Sequence, residues 1–351
     1  MIDCLEYLKT AVEHGASDLF FVAGRAVSEK RDGRVLALSE QRLQPGDTRQ
    51  ILEQLYNAAD REMEEFLKTG DDDFSFSISG LARFRVNAYK QRGSMAAVIR
   101  LVSFDIPDWQ SINIPEQVME LAELSSGLVL VTGVAGSGKT TTQACIIDRI
   151  NSTRDCHIVT LEDPIEYLHR HKKSIISQRE ISIDTRDYLS ALRATVRQSP
   201  DVILLGEMRD AETIHTAMTA AETGHLVIAT LHTKGAVKAL DRIIDSFPGS
   251  QQAQVRTQLA AVLRTVVSQQ MLPDVHGGMI PAFEILKANR AVSSMIRDNK
   301  NHQINTAIST GGAEGMISME QSVAKLLREG KISRETALSC AENAEQLLRY
   351  C

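Results

Sequence analysis

Residues 133–140 read Gly-Val-Ala-Gly-Ser-Gly-Lys-Thr, between a short apolar run at 128–131 and a helical pattern at 140–150. This stretch matches GxxxxGK followed by Ser or Thr, in which glycines let backbone N–H groups surround phosphate oxygens and the next helix adds positive potential. Lys139 is expected to reach the β- and γ-phosphates, and the Thr140 hydroxyl is expected to bind Mg²⁺. The stretch therefore predicts a nucleoside-triphosphate site. The residues expected to hold the nucleotide are Gly133, Val134, Ala135, Gly136, Ser137, Gly138, Lys139, Thr140 and Thr141.

The chain around this loop alternates strand-like and helix-like segments. Apolar runs of strand length recur at 128–131, 158–161, 202–205 and 226–229. Helical patterns lie between them, at 140–150, 187–198 and 211–222. This alternation is typical of crossover units and a mostly parallel sheet. We therefore expect an α/β core over 116–270 and a mainly helical part over 271–351.

The first hundred residues have a different pattern. Helical spacing occurs near 3–14, 47–56 and 60–68, and a short apolar run occupies 19–22. Three further segments read as strands of a hairpin sheet, at 74–79, 82–89 and 95–102. We expect a small α+β domain over 1–103, followed by a linker over 104–115 that contains Pro107 and Pro115.

The composition excludes several classes of protein. The 351 residues include 39 Lys+Arg and 45 Asp+Glu, a net charge of −6, so the chain as a whole is not expected to bind nucleic acid. No stretch approaches the ~20 apolar residues of a membrane-spanning helix, and the N-terminus lacks a signal-peptide pattern. The five cysteines form no CxxC pair or Cys/His cluster. At about 150 residues per domain, we expect a two-domain protein of the cytosol.

Acidic residues follow two of the predicted strands. Glu207 comes just after the run at 202–205, and residues 162–166, Glu-Asp-Pro-Ile-Glu, follow the run at 158–161. Because the carboxyl ends of parallel strands meet at one edge of a sheet, these acids are expected near the phosphate loop. Glu207 is the candidate for Mg²⁺ and its bound water, whereas the pattern leaves Glu162, Asp163 and Glu166 as alternatives for the base. His232, after the run at 226–229, is expected at the same edge.

Four segments together resemble a known family. They are GVAGSGKTT at 133–141, VTLEDPIEY at 159–167, RQSPDVILLGEMRD at 197–210 and TGHLVIATLHT at 223–233. These segments resemble the Walker A, Asp-box, atypical Walker B and His-box motifs of the secretion-superfamily ATPases. Within that superfamily, RFRVNAYKQRG at 83–93 and LDRIIDSFP at 240–248 are similar to the type IV pilus retraction (PilT-like) ATPases. The resemblance covers nearly the whole chain, in order.

The resemblance implies a fold and a role for each motif residue. It implies an N-terminal α+β (PAS-like) domain and a RecA-like P-loop domain with a helical C-terminal extension. Glu166 corresponds to the catalytic general base, Glu207 to the Walker B glutamate that supports Mg²⁺ and water, and His232 to the residue that senses the γ-phosphate. The arginines that could complete a neighbouring subunit's site are Arg83, Arg85, Arg92 and Arg100.

The resemblance also implies an assembly and partners. It implies a homo-hexameric, ATP-hydrolysing motor at the inner face of the plasma membrane, which acts on an inner-membrane pilus platform protein beside a possible second pilus ATPase. Such a motor withdraws pilins from the fibre and powers twitching motility. No direct contact with nucleic acid is implied.

One departure from the family pattern keeps alternatives open. Residues 291–298 read AVSSMIRD where retraction motors have AIRNLIRE, a motif linked to retraction rather than to ATP turnover. The alternatives are an accessory (PilU-like) retraction ATPase and a nucleotide-gated regulatory ring with weak hydrolysis. The presence of Glu166 and Glu207 favours hydrolysis over the regulatory ring.

Overall fold

The computed structural model describes residues 3–31, 33–78, 80–102, 105–341 and 343–351. It divides into two compact units, Met1–Asp105 with Glu166–Leu168, and Ile106–Ile165 with His169–Cys351. The linker was expected over 104–115; Phe104 lies outside the described residues, and residues 106–115 belong to the second unit. In that unit Ile114 is a buried member of an apolar core, and Trp109 packs against the same core.

The first unit is an α+β domain. Its helices are α1 (Cys4–Glu13), α2 (Pro45–Ala58) and α3 (Glu64–Thr69). Its strands are β1 (Asp18–Phe21), β2 (Ala26–Arg31), β3 (Arg34–Arg42), β4 (Asp71–Ile78), β5 (Ala82–Gln91) and β6 (Ser94–Val102). They form an antiparallel sheet in the order β3-β2-β1-β6-β5-β4. The patterns at the sequence level missed β2 and β3, because β3 is an edge strand with mostly exposed side chains and no apolar alternation.

The second unit is built on a seven-stranded sheet. Its strands are β7 (Gly127–Thr132), β8 (His157–Glu162), β9 (Ile175–Glu180), β10 (Val202–Leu205), β11 (Leu226–Leu231), β12 (Leu263–Pro273) and β13 (Met279–Lys287). Their order is β13-β12-β7-β11-β10-β8-β9, and only β13 pairs antiparallel. The mostly parallel α/β sheet is therefore confirmed.

Helices cover both faces of this sheet. In chain order they are α4 (Glu116–Met119), α5 (Lys139–Thr153), α6 (Tyr188–Thr195), α7 (Ala211–Glu222), α8 (Ala236–Asp245) and α9 (Gln252–Val262). Successive residues of β7 point to opposite faces: Leu128 joins the core under α7, α8 and α9, and Val129 joins the core under α5. Strands buried on both faces explain the continuous apolar runs in the sequence.

The sequence patterns did not predict two strands after residue 250. Strand β12 lies largely within the expected α/β core, and β13 lies at the start of the part expected to be mainly helical; both extend the sheet. Helix α9 ends at Val262 and β12 begins at Leu263, with no Gly or Pro between them to mark the change. The remaining helices are α10 (Arg290–Arg297), α11 (Ile304–Thr310), α12 (Met319–Arg328), α13 (Arg334–Cys340) and α14 (Ala344–Tyr350). None of the helices in the described part of the chain has the length and apolar character that crossing a membrane requires.

Candidate active site

The site lies at one edge of the second unit's sheet. Strands β7, β11, β10 and β8 are neighbours and run parallel, so their carboxyl ends lie side by side. The phosphate loop follows β7, His232 follows β11, Glu207 follows β10, and Glu162 ends β8. The structure therefore brings together the second-unit residues that the sequence placed after these strands.

The phosphate loop packs too closely against β12 for side chains at two of its glycines. Gly133 and Gly138 have φ values of 149° and 83°, in the region that favours glycine. A Cβ atom at Gly133 would lie 2.3 Å from the carbonyl oxygen of Gln269, and one at Gly138 would lie 2.8 Å from Nε2 of Gln269. Glycine at these two positions therefore allows the loop to adopt this conformation against β12.

The loop also carries polar groups suited to an anion. Helix α5 has Gly138 at its N-cap and no side chain capping its first N–H groups. The Ser137 hydroxyl is buried, and no described residue hydrogen-bonds it. Uncapped N–H groups and a buried hydroxyl at a helix N-terminus fit a phosphate group.

Lys139 is folded onto the loop that precedes it. Its Nζ atom donates hydrogen bonds of 2.9 Å to the carbonyl oxygens of Gly133 and Val134. The same Nζ lies 3.5 Å from Nδ1 of His232, and the lysine is only 8% exposed. A buried ammonium held by neutral carbonyls is poised to exchange them for phosphate oxygens, which bear charge.

Glu207 lies between an arginine and the His232 ring. Its Oε2 accepts a hydrogen bond of 2.8 Å from Nε of Arg209, and its Oε1 lies 3.4 Å from Nε2 of His232. The hydrogen bond to Glu207 raises the pKa of Arg209. With the Lys139 contact, these side chains form a continuous polar row along the edge of the sheet.

The three acids after β8 differ in their surroundings. Glu162 is buried, and its Oε1 accepts hydrogen bonds from Thr160 (2.6 Å) and Gln178 (3.2 Å). Asp163 and Glu166 are exposed, and Glu166 is grouped with the first unit. Glu162 is therefore engaged in the protein's own hydrogen bonds, and the assignment of Glu166 as the general base stays a prediction.

The four candidate arginines all belong to the first unit. Arg83 donates a hydrogen bond of 2.6 Å to Ser75, and Arg100 pairs with Asp18 at 3.1 Å. These two side chains already have partners within their own sheet.

Arg85 and Arg92 differ from Arg83 and Arg100 in their surroundings. Arg85 lies opposite Arg100 in the register of β5 and β6, and Arg92 is exposed in the turn between the same strands. No described residue forms an ion pair with Arg85 or Arg92. A role for any of the four arginines in a neighbouring subunit stays a prediction.

The motifs did not single out three residues of this edge. Gln269 on β12 accepts a hydrogen bond of 2.7 Å from Thr142 of α5, and both side chains are buried. Arg209 pairs with Glu207, and the Tyr188 hydroxyl lies near Gly206. Arg209 could have been noticed as the cation two residues after Glu207; Gln269 and Tyr188 depend on contacts between distant parts of the sequence.

A cavity of about 270 Å³ adjoins the first turn of α5. Thr141 and Thr142 line it on the helix side, Gln269 and Met271 line it from β12, and residues 111–114 and 279–281 complete the wall. It is therefore continuous with the helix that begins at Lys139.

Comparison with known proteins identifies the family. The family of type II/IV secretion system proteins matches residues 2–277. The chain belongs to that family. It is 41% identical over 345 residues to the type IV pilus retraction ATPase PilT of Pseudomonas aeruginosa, a match that covers 98% of this chain and 99% of the relative. It is 37% identical over 341 residues to the type IV pilus ATPase PilU of the same species, covering 97% of this chain and 89% of the relative.

A solved structure has the same fold. The crystal structure of the pilus retraction motor PilT with bound ADP superimposes with a TM-score of 0.91 at 42% identity, covering 99% of this chain and 100% of that one. The predicted resemblance to the PilT-like ATPases is thereby confirmed. This family member is a nucleotide-binding ATPase.

Proposed function

We propose that this chain is the subunit of a motor that uses ATP hydrolysis to retract type IV pili and so drive twitching motility. One observation carries the proposal. The phosphate loop, Glu207 and His232 lie at neighbouring strand ends in a chain that matches a pilus retraction ATPase over 98% of its length.

Lys139 and the loop bind the phosphates. Nζ of Lys139 exchanges the carbonyl oxygens of Gly133 and Val134 for β- and γ-phosphate oxygens, and the first N–H groups of α5 donate to the same anion. The Nδ1 atom of His232 lies 3.5 Å from Nζ, which supports a role for His232 in sensing the γ-phosphate.

Thr140 and Glu207 are the residues that would hold Mg²⁺. No described residue hydrogen-bonds the Thr140 hydroxyl. The Glu207 carboxylate accepts a hydrogen bond from Arg209 and lies near His232, so it would bind the metal in exchange for one of these contacts. When bound, Mg²⁺ neutralises charge on the phosphates during transfer. Few protein ligands are needed, because Mg²⁺ in such sites keeps several waters and binds the substrate's phosphate oxygens.

Glu166 is proposed as the general base. The water oxygen bonds to the γ-phosphorus as the bond to the β-bridging oxygen breaks, its proton passes to the Glu166 carboxylate, and ADP leaves with the bridging electron pair.

An arginine among Arg83, Arg85, Arg92 and Arg100 would stabilise the charge from a neighbouring subunit. The cavity beside α5 is proposed to receive the nucleoside, since its lining includes Thr141 and Thr142 directly after the loop.

We further propose a homo-hexameric ring at the inner face of the plasma membrane. The ring would act on a membrane-embedded pilus platform protein, with or without a second pilus ATPase. The relative whose crystal structure is named a pilus retraction motor supports the motor role on which this assembly rests.

ATP turnover measured against protein concentration, with size determined in parallel, tests the proposal. For the wild type, phosphate release per subunit should rise as rings form. Glu166→Gln should abolish turnover while rings still form; Glu64→Gln, at an exposed glutamate of α3, is the matched control and should behave as the wild type. Turnover that is absent, or independent of assembly, would favour the regulatory ring instead.

The accessory alternative is tested in cells. Expressed in a bacterium whose own retraction ATPase is deleted, the chain should restore twitching motility. Restoration only in the presence of another retraction ATPase would favour the PilU-like role, which the 37% identity to PilU keeps as the second candidate.

A further inference from the structure

The hydroxyl of Tyr188 fills the space beside Gly206, the residue directly before Glu207. A Cβ atom at Gly206 would lie 2.7 Å from this hydroxyl oxygen, 3.2 Å from the carbonyl oxygen of Leu161 and 3.3 Å from Cα of Glu162. The φ of Gly206 is not in the left-handed region, so its backbone would accept other residues. The Tyr188 side chain therefore excludes a side chain from position 206.

Several contacts fix the backbone on both sides of this hydroxyl. Tyr188 is the first residue of α6, whose N-cap Asp187 accepts a hydrogen bond of 2.7 Å from the backbone of Ser190. Its ring packs against the apolar core under the sheet. The amide of Gly206 donates a 2.7 Å hydrogen bond to the carbonyl of Leu161. The packing of the Tyr188 ring and the hydrogen bond of Gly206 therefore fix the hydroxyl oxygen beside Gly206.

The hydroxyl faces a cluster of charges at this edge. Burial and the carboxylates of Asp163, Glu207 and Glu162 raise the pKa of Tyr188, whereas Arg209 lowers it. Like any tyrosine at neutral pH, Tyr188 is uncharged and keeps its proton as a hydrogen-bond donor. No described residue accepts or donates a hydrogen bond at this oxygen. A half-buried donor without a protein partner, beside carboxylates, has the chemistry to hold an oxygen acceptor.

We propose that Tyr188 is a positioning residue of the ATPase: its hydroxyl stands where a side chain at position 206 would stand, and it donates a hydrogen bond into the acidic edge formed by Asp163 and Glu207 in the nucleotide-bound state. Because the Tyr188 hydroxyl is neutral, it can lie between the negative charges of Asp163 and Glu207 without adding a further negative charge beside the phosphates. The proposal rests on ATP hydrolysis at the phosphate loop.

The first test removes only the hydroxyl. In Tyr188→Phe the ring still packs, so the melting temperature of the nucleotide-free protein should stay within ~2 °C of the wild type. The kcat for ATP should fall by about 3- to 10-fold, the size expected for one hydrogen bond, while KM stays within twofold. Tyr7→Phe, a half-buried tyrosine of the first unit, is the matched control and should change neither value. A kcat equal to that of the wild type, or an equal loss in Tyr7→Phe, would overturn the proposal.

The second test needs no nucleotide. Gly206→Ala should lower the melting temperature markedly in the wild type, because the new methyl group meets the hydroxyl at 2.7 Å. In the Tyr188→Phe background the same change should cost less, since only the contacts of 3.2 and 3.3 Å remain. Equal losses in both backgrounds would show that the hydroxyl does not occupy this space. If the wild type fails to hydrolyse ATP, the proposed function fails, but this cycle still reports on the placement of Tyr188.

Discussion

Nε of Arg209 lies 2.8 Å from Oε2 of Glu207, the carboxylate expected to serve the metal. The other oxygen of Glu207 lies 3.4 Å from the His232 ring. Both oxygens of the carboxylate thus face basic side chains of the protein. As the proposed metal ligand, Glu207 would exchange its hydrogen bond from Arg209 for Mg²⁺ or a metal-bound water.

This competition predicts the effect of Arg209→Gln. Without the guanidinium, the carboxylate exerts a stronger negative potential on the metal position, so the Mg²⁺ concentration for half-maximal ATPase should fall by about two- to fivefold. Stability should change by less than about 1 kcal/mol, because the Arg209 side chain is 64% exposed.

The control for Arg209 is Arg193→Gln. Arg193 is an arginine of similar exposure whose guanidinium lies 3.8 Å from the carboxylate of Glu212, and its loss should leave the Mg²⁺ dependence unchanged. Measuring the ATPase rate against Mg²⁺ concentration at saturating ATP tests this prediction. A higher Mg²⁺ requirement in Arg209→Gln would mean that the arginine holds Glu207 in its working position rather than competing with the metal.

Lys139→Ala should abolish ATP turnover. Nζ of Lys139 is the buried cation of the loop, and its two carbonyl partners cannot replace it as a ligand for phosphate. We expect a loss of more than ~100-fold in phosphate release and weaker binding of a fluorescent ADP analogue. Lys325→Ala, at an exposed lysine of α12, should retain wild-type values. Normal turnover in Lys139→Ala would place the ATPase site elsewhere.

The sequence predicted which strands the loop and the acidic residues follow, because short stretches of adjacent residues dictate those positions. The loop at 133–140 and the acids after β8 and β10 depend on residues that are adjacent in the chain. Strands β12 and β13 were not predicted because buried polar residues such as Ser268 and Gln269 interrupt the apolar run of β12, and because β12 follows α9 without a turn residue. Gln269, 127 positions from its partner Thr142, depends on that missed strand. The patterns along the chain carry no information on such long-range pairs.

The Gln269–Thr142 hydrogen bond predicts a coupled effect on stability. Gln269→Leu leaves the buried Thr142 hydroxyl without its 2.7 Å partner, which should cost about 2 kcal/mol and lower the melting temperature by about 4–8 °C. Thr142→Val alone should also destabilise the protein, because the buried Oε1 atom of Gln269 then loses its hydrogen-bond donor.

Combining the two changes distinguishes pairing from packing. The double variant Thr142→Val/Gln269→Leu removes both polar groups together, so its loss should be clearly smaller than the sum of the single losses. Thermal unfolding of the four proteins without nucleotide measures the coupling. Strictly additive losses would mean that the two side chains contribute independently.

His169 predicts how stability depends on pH. Burial lowers the pKa of His169 from 6.5 to about 4; Asp148 opposes this shift and Lys172 adds to it. Its Nδ1 atom is buried and lacks a hydrogen-bond partner among the described residues. Below pH 6.5 the unfolded chain therefore binds a proton that the folded chain refuses, and stability falls as the pH drops from 6.5 towards 4, by at most about 1.4 kcal/mol per pH unit.

His169→Phe, which cannot titrate, should flatten this part of the curve of melting temperature against pH, whereas His276→Gln at an exposed histidine should leave it unchanged. A curve for His169→Phe as steep as that of the wild type would assign the acid sensitivity to other groups.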